Sequence, residues 1–471
     1  MSTTKVSAPL QHYFAERALL PSGWAFNVRL SVQHGRFTHV RPNSTMIEGD
    51  IHLDGPVLPT IGNLHSHAFQ RVMAGAAEVS LNPNDSFWSW RDLMYKVVQK
   101  LSPEDAQIIA TQLYIDMLKA GYSQVAEFHY LHHAPGGQAY SQVEEMALQL
   151  MQAAQNSGIG LTLLPVLYSY AGFGGQTPSV GQARFINSTD EYLALHHASS
   201  EALSQLNKRN VNHQHKHQMG ICFHSLRAVT QPQIVTVLSQ LDSSLPIHIH
   251  IAEQQKEVND CQTWSGQRPV QWLDDNIGLD PRWCLVHATH LNQKEITAIA
   301  NTQAVVGLCP TTEANLGDGI FPGVDFSAQN GLWGIGSDSH VSLSLVEELR
   351  TLEYSQRFRD QQRNRLHNTA QNRVGDHLFT QALAGGNQAC GVKLGLAPGH
   401  RADFMLLDPQ HPFMAASAPQ DLLNRWLFAC NENLIKDVFV CGQQVIKDFH
   451  HPLEESSRQA FTQVIKKVMY D

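Results

Sequence analysis

Residues 102–128 read SPEDAQIIATQLYIDMLKAGYSQVAEF. Ser102 can cap the first free amides of a helix, Pro103 suits the first helical position, and Glu104 and Asp105 face the positive end of the helix dipole. Ala106, Ile109, Leu113 and Met117 then recur at helical spacing, and Gly121 stops the helix. The run 123–128 (SQVAEF) follows at once and reads as a strand. Outward from this helix–strand unit the same alternation repeats. Strand-like runs stand at 57–64 (VLPTIGNL), 159–167 (IGLTLLPVL), 219–224 (MGICFH), 246–251 (PIHIHI), 283–288 (WCLVHA), 303–308 (QAVVGL) and 332–337 (LWGIGS). Strands that alternate with helices imply a parallel sheet. Eight such units imply closure into a (β/α)8 TIM-type barrel, because the Gly-rich dinucleotide fingerprint of an open doubly wound sheet is absent.

A barrel takes roughly 250 residues or more, and the chain has 471. The surplus lies at the ends. Residues 7–55 and 402–447 alternate like short strands, so the expected fold is α/β. It is a barrel with a smaller composite β domain from both chain ends. The expected limits are 1–56 for the N-terminal part of the β domain, 57–385 for the barrel and 386–471 for the C-terminal part.

Composition excludes several classes. Lys and Arg total 33 against 42 Asp and Glu, a net charge of −9, and no long basic run occurs. A nucleic-acid partner is therefore not expected. No basic start with an apolar core marks a signal peptide, and no run of about 18 apolar residues marks a membrane span. Seven scattered cysteines never form CxxC; reduced thiols and a cytoplasmic location are the expectation. The 26 histidines exceed what one site can use, so each needs a positional reason. The polar stretch 208–218 (KRNVNHQHKHQ) reads as a solvated loop before the fourth strand rather than a metal site.

Position singles out a few. The first barrel strand ends Asn63-Leu64-His65-Ser66-His67, and residues i and i+2 of a strand face the same way. Both imidazoles can thus face the C-terminal mouth, where barrel enzymes carry their chemistry. The fifth strand ends in His248-Ile249-His250-Ile251-Ala252-Glu253, the sixth at His287, and the eighth in Gly336-Ser337-Asp338-Ser339-His340. His or Asp at four barrel-strand ends points to a metal-dependent hydrolase.

This pattern resembles the amidohydrolase superfamily: HxH after the first strand, His after the fifth and sixth, Asp after the eighth. The spacing His250…Glu253 resembles its mononuclear deaminase branch. Strand four ends Cys222-Phe223-His224, without the bridging lysine of binuclear members. A closer resemblance, over about residues 60–340, is to the formimidoylglutamate deiminases of histidine degradation. It is carried by NLHSHAFQRVMAG, DSFWSWRDLMY, MLKAGYSQVAEFHY, HSLRAV, HIHIAEQ and CPTTEANLGDG. Thr60 departs from it, standing where a glycine is usual.

The resemblance implies one divalent ion held by His65, His67, His250 and Asp338. Three nitrogens and one oxygen suit zinc with a position left for water; iron or manganese also fits. Asp338 would accept the water's proton, Glu253 would carry a proton to the leaving nitrogen, and His287 would polarise the attacking water. Arg91, in the long 68–102 connection, Tyr130 and Arg227 would bind the glutamate portion, because guanidiniums grip carboxylates bidentately. Gln70 and His224 would contact the substrate near its formimino group. His248 reads as structural, and His290 and His340 as outer residues. The implied reaction converts N-formimidoyl-L-glutamate and water into N-formyl-L-glutamate and ammonia, in a small-molecule enzyme expected to be a homodimer. The alternative is another aminohydrolase of the superfamily acting on a nucleobase or related ring, which would need a flat aromatic slot. A catalytically dead barrel serving as a scaffold is the second rival; such relatives lose ligands.

Overall fold

A computed structural model describes residues 9–79, 87–209, 216–369 and 371–470. Eight parallel strands form the path of the central sheet: β1 (Ile61–Ser66), β2 (Tyr122–His129), β3 (Gly160–Leu167), β4 (Ile221–Ser225), β5 (Ile247–Ile251), β6 (Trp283–His287), β7 (Val305–Leu308) and β8 (Leu332–Ile335), with the short strand Gln218–Met219 also on β3. Neighbours pair in that order. The seam between β8 and β1 closes just past the strands, through a bridge between Ser66 and Asp338. The Asp338 amide donates to the His65 carbonyl at 3.0 Å, and the His67 amide to the Asp338 carbonyl at 3.2 Å. The closing hydrogen bonds therefore hold two histidines and an aspartate side by side.

Alternation along the strands divides the core. Leu64, Phe128, Leu164, Val166, Cys222 and Val286 fill the inner cluster, while Val125, Ile247, Ile249, Ile251 and Leu285 pack towards the helices. The helix Pro103–Lys119 forms as its sequence predicts. Ser102 Oγ accepts from the Asp105 amide at 3.2 Å, and Asp105 Oδ2 from the Ser102 amide at 2.9 Å. The helix Val374–Ala389 lies across the β8–β1 seam. Gly385 allows this approach: a Cβ there would sit 2.1 Å from the Trp333 carbonyl oxygen.

The second sheet draws strands from both ends, as expected. Its order is Gln443–Ile446, Ile435–Val440, Phe404–Leu407, Val57–Pro59, Gln11–Leu20, Gly23–Gln33, Arg36–Arg41, with Ile51–Leu53 also on Gln11–Leu20. The run 57–64 departs from its reading as one barrel strand. Val57–Pro59 pairs antiparallel with Phe404–Leu407, and only Ile61–Ser66 enters the barrel. Both halves are apolar, so the pattern could not show that the chain changes sheets at Thr60. The Thr60 hydroxyl is satisfied by Ser123 Oγ at 2.6 Å.

The last segment is also less β-rich than expected. Val374–Ala389 runs past residue 385, and Leu422–Ala429 and Glu454–Met469 are helices. The last of these returns to the barrel, where Lys119 Nζ pairs with Glu454 Oε1 and Lys467 Nζ with Asp105 Oδ2, both at 2.6 Å. In the stretch read as a solvated loop, residues 210–215 lie outside the described residues. Among the described residues no helix is long and apolar enough to cross a membrane.

Candidate active site

The strand ends place four side chains together. His65 Nε2 is 3.0 Å from His250 Nε2 and 3.3 Å from Asp338 Oδ1, and His67 Nε2 is 3.4 Å from the same oxygen. All four residues are buried. His67 Nδ1 lies 2.8 Å from the Phe128 carbonyl oxygen. A carbonyl only accepts, so Nδ1 carries the proton and Nε2 turns a bare lone pair inwards. His250 stacks on the Phe128 ring, with centroids 4.2 Å apart.

Electrostatics favour a cation there. Burial pulls the His65 imidazole down to about 3, against the hydrogen bond and charge of the Asp338 carboxylate. Burial likewise lowers His67 and His250. All three are thus neutral, the form that ligates. Burial opposes ionisation of Asp338, but the His65 hydrogen bond and neighbouring imidazoles outweigh it and hold the carboxyl far below its usual value. Three neutral nitrogens and one anionic oxygen turned to one buried point fit a divalent ion.

The backbone around this point is strained. Ala252, His287, Ala288, Asp338 and His340 all have φ between 47° and 68°, a left-handed region costly for residues with a Cβ. At Ala252 the cause is visible: Glu257 accepts from the amides of Ala252 at 3.2 Å and Glu253 at 3.1 Å, folding the loop after β5 over the site.

That fold brings Glu253 Oε1 to 3.8 Å from His287 Nε2, which is also 3.8 Å from Asp338 Oδ2. His287 Nδ1 lies 3.3 Å from Glu313 Oε1, an oxygen that also accepts from the Cys309 amide at 2.9 Å. Burial pushes the Glu253 carboxyl up, with the His287 and Arg227 charges acting against it. Burial alone would lower His287, but Glu253, Glu313 and Asp338 raise it. A carboxyl that takes up protons readily thus stands beside an imidazole that keeps one.

The residues read as substrate contacts, Gln70, Arg91, Tyr130, His224 and Arg227, line one cavity with His67, His250 and Asp338. Gln70 Nε2 donates to Tyr130 Oη at 2.9 Å, and its Oε1 is buried with no partner among the described residues. Arg91 comes from the helix Phe87–Val98 and lies over the Tyr95 ring, 5.5 Å from its centroid. Burial disfavours the Arg227 charge, but Glu257 and Glu253 outweigh it and push its pKa up. His248 is turned away, with Nε2 2.8 Å from the Ala389 carbonyl oxygen, and His290 Nε2 is 2.8 Å from that of Asp318.

The cavity wall is more aromatic than the sequence suggested. Tyr95, Tyr168 and Phe185 stand beside the arginines. Tyr168 tilts against His224 with ring centroids 4.2 Å apart, and its hydroxyl accepts from Gln182 Nε2 at 2.6 Å. Tyr168 directly follows β3, so the strand-end rule that found the histidines could have found it. Glu257 and Glu313 carried no such signal.

Known proteins share this architecture. A model of the amidohydrolase family matches residues 57–445. A second, of the N-terminal domain of formimidoylglutamate deiminase HutF, matches residues 11–51. A formimidoylglutamate deiminase from Pseudomonas aeruginosa is 56% identical over 458 residues, which is 97% of this chain and 99% of that one. The chain belongs to the formimidoylglutamate deiminases of the amidohydrolase family. Amidohydrolases are metal-dependent hydrolases, and the four side chains above are of the kind that holds an ion. Among solved structures, an amidohydrolase from Brucella melitensis is 41% identical with a TM-score of 0.91, covering 98% of this chain and 100% of its own. An adenosine deaminase from Xanthomonas campestris with bound zinc shares the fold at 19% identity, with a TM-score of 0.76 over 96% of this chain and 98% of its own.

Proposed function

We infer that the chain hydrolyses N-formimidoyl-L-glutamate to N-formyl-L-glutamate and ammonia, a deimination in histidine degradation. The observation that carries this is the 56% identity, over 97% of the chain, to the Pseudomonas aeruginosa deiminase. The cavity chemistry supports it, since two arginines suit a dicarboxylate better than a neutral ring.

His65, His67, His250 and Asp338 would hold one divalent ion. Zinc suits the donor set, and the Xanthomonas campestris adenosine deaminase carries zinc. Such an ion supplies Lewis-acid charge and makes water acidic enough to attack near neutral pH. Arg91, Arg227 and Tyr130 bind the substrate's carboxylates, while Gln70 and His224 approach its formimidoyl end. Asp338 and Glu253 accept protons as water adds to the amidine carbon. Both protons reach the imino nitrogen, Glu253 carrying them across, the C–N bond breaks, and ammonia leaves a formyl group behind. His287, kept protonated by its carboxylate neighbours, donates to the oxygen that adds.

All seven cysteines are buried free thiols, which supports a reducing compartment such as the cytoplasm. The homodimer implied by the resemblance is read from the mass in solution.

The test is ammonia release from formimidoylglutamate beside formimidoylglycine, formimidoylaspartate and a nucleobase panel. One ammonia and one N-formylglutamate per substrate, with the glutamate compound preferred, are expected. Ammonia from a ring substrate and none from the formimidoyl acids would favour the ring-deaminase alternative.

A further inference from the structure

A connected set of buried polar side chains lies behind the imidazoles and has no part in the chemistry above. It ends on Glu127, near the end of β2, which is 1% exposed. Glu127 Oε2 accepts from the Ser66 hydroxyl at 2.6 Å and the Tyr114 hydroxyl at 3.1 Å, and Oε1 accepts from the Ala68 amide at 2.6 Å. Ser66 lies between His65 and His67, and Ala68 follows them. One carboxylate therefore grips the turn that presents both histidines.

The hydrogen bonds continue away from Glu127. Ser66 Oγ is 3.2 Å from His340 Nε2, and His340 Nδ1 is 2.9 Å from Ser337 Oγ. Asn63 Nδ2 donates to Ser337 Oγ at 2.6 Å. Asn63 Oδ1 accepts from the amides of Ser337 at 3.1 Å and His65 at 3.3 Å. Ser337 directly precedes Asp338.

Donor chemistry gives this chain one direction. The three donors favour the ionised form of Glu127 against its burial, and an ionised carboxylate only accepts, so the Ser66 proton points at Glu127. The Ser66 oxygen then receives the Nε2–H of His340. A neutral imidazole has one N–H, so His340 Nδ1 accepts the Ser337 proton. Ser337 in turn accepts from the Asn63 amide group, which leaves the Asn63 oxygen for the two backbone amides. Every member is satisfied at once.

We propose that Glu127 is a positioning residue for the metal centre: by setting the direction of this chain it holds His65, His67 and Asp338 in ligating geometry. An amide cannot replace it. With its nitrogen on the Ala68 amide, a glutamine sets N–H against N–H; with its oxygen there, its nitrogen donates to the Ser66 and Tyr114 hydroxyls, turns the Ser66 proton towards His340 and reverses the chain, so that Ser337 receives from both His340 and Asn63 and its own proton loses its acceptor. Half-satisfied buried networks lose order, and the disorder would fall on the turn between two ligands.

The inference rests on the reading that these residues hold an ion, and its test measures the ion directly. Zinc is titrated into metal-free wild type, E127Q, S66A and Y114F against a fluorescent chelator, with folding checked by circular dichroism. E127Q should bind zinc roughly 10- to 100-fold more weakly, the usual cost of losing a group that orients ligands. S66A, which cuts the link from Glu127 to His340, should weaken it as well. Among the described residues, Tyr114 is the one Glu127 donor outside the ligand turn, so Y114F should lower Tm and leave zinc affinity unchanged. A purely structural Glu127 would lower Tm in E127Q and Y114F alike without moving zinc affinity, and that result overturns the proposal. If E127Q fails to fold, wild-type affinity in S66A overturns it equally. Wild-type protein that took up no zinc would overturn the metal reading itself, a failure distinct from normal wild-type uptake with normal uptake in E127Q.

Discussion

Replacing Arg227 by methionine keeps an unbranched apolar stem and removes the guanidinium with its charge. Arg227 lines the cavity beside Glu253, and its Nε is buried with no partner among the described residues. Truncating one member of a buried, hydrogen-bonded charge pair costs about 2–5 kcal/mol. Arg227 is only partly buried, so the low end applies, about 2–3 kcal/mol. At a factor of ten per roughly 1.4 kcal/mol, kcat/KM for formimidoylglutamate should fall roughly 30- to 150-fold. A second effect accompanies it. The Arg227 charge acts against the rise of the Glu253 pKa, so its loss lets that pKa rise further. A base with a higher pKa is protonated sooner as pH falls, so the acid limb of the rate profile should move to higher pH. Steady-state ammonia release over a range of pH, with zinc content measured in parallel, reads both effects. An unchanged kcat/KM, or a loss explained wholly by missing zinc, would refute the reasoning.

Glu253→Gln should keep its zinc while kcat falls at least about 100-fold, as for loss of a general acid–base group; wild-type turnover in that variant removes Glu253 from the chemistry. Glu348 is buried and accepts from Thr311 Oγ1 at 2.6 Å and the Thr311 amide at 2.9 Å. Burial pushes its pKa from 4.5 up to about 8. A folded-state pKa above the unfolded value gives stability that is present below the unfolded pKa and lost as pH rises through the folded one. Glu348→Gln cannot ionise, so its Tm relative to wild type should improve from about pH 5 to about pH 9; a constant difference contradicts this. Gly385→Ala forces a Cβ against the Trp333 carbonyl and should cost at least roughly 1–3 kcal/mol of stability, read from chemical denaturation.

The barrel was legible because its strands obey simple rules. Helix caps such as Ser102 and alternating runs such as 246–251 mark where elements start and stop, and the two-residue strand period puts His65 and His67 on one side. The change of sheet at Thr60 was not legible, because Val57–Pro59 and Ile61–Ser66 are equally apolar and only pairing partners distinguish them. The candidate ligands stood out since each ends a strand. Their supports did not. Glu127, Glu257 and Glu313 read as ordinary acids, and only burial against backbone amides and hydroxyls reveals what they hold. His340 looked peripheral because its two partners, Ser66 and Ser337, are brought together only when the barrel closes. The aromatic wall escaped for a similar reason: Tyr95 and Phe185 come from connections whose course across the mouth is not encoded in periodicity.

The central claim is that deimination depends on a single ion at the point where His65, His67, His250 and Asp338 meet. Adding zinc stepwise to metal-free protein and recording ammonia release from formimidoylglutamate tests it most directly. Activity should rise linearly and break at one equivalent per chain. A break at two equivalents, or no ammonia at any zinc load, would contradict the account.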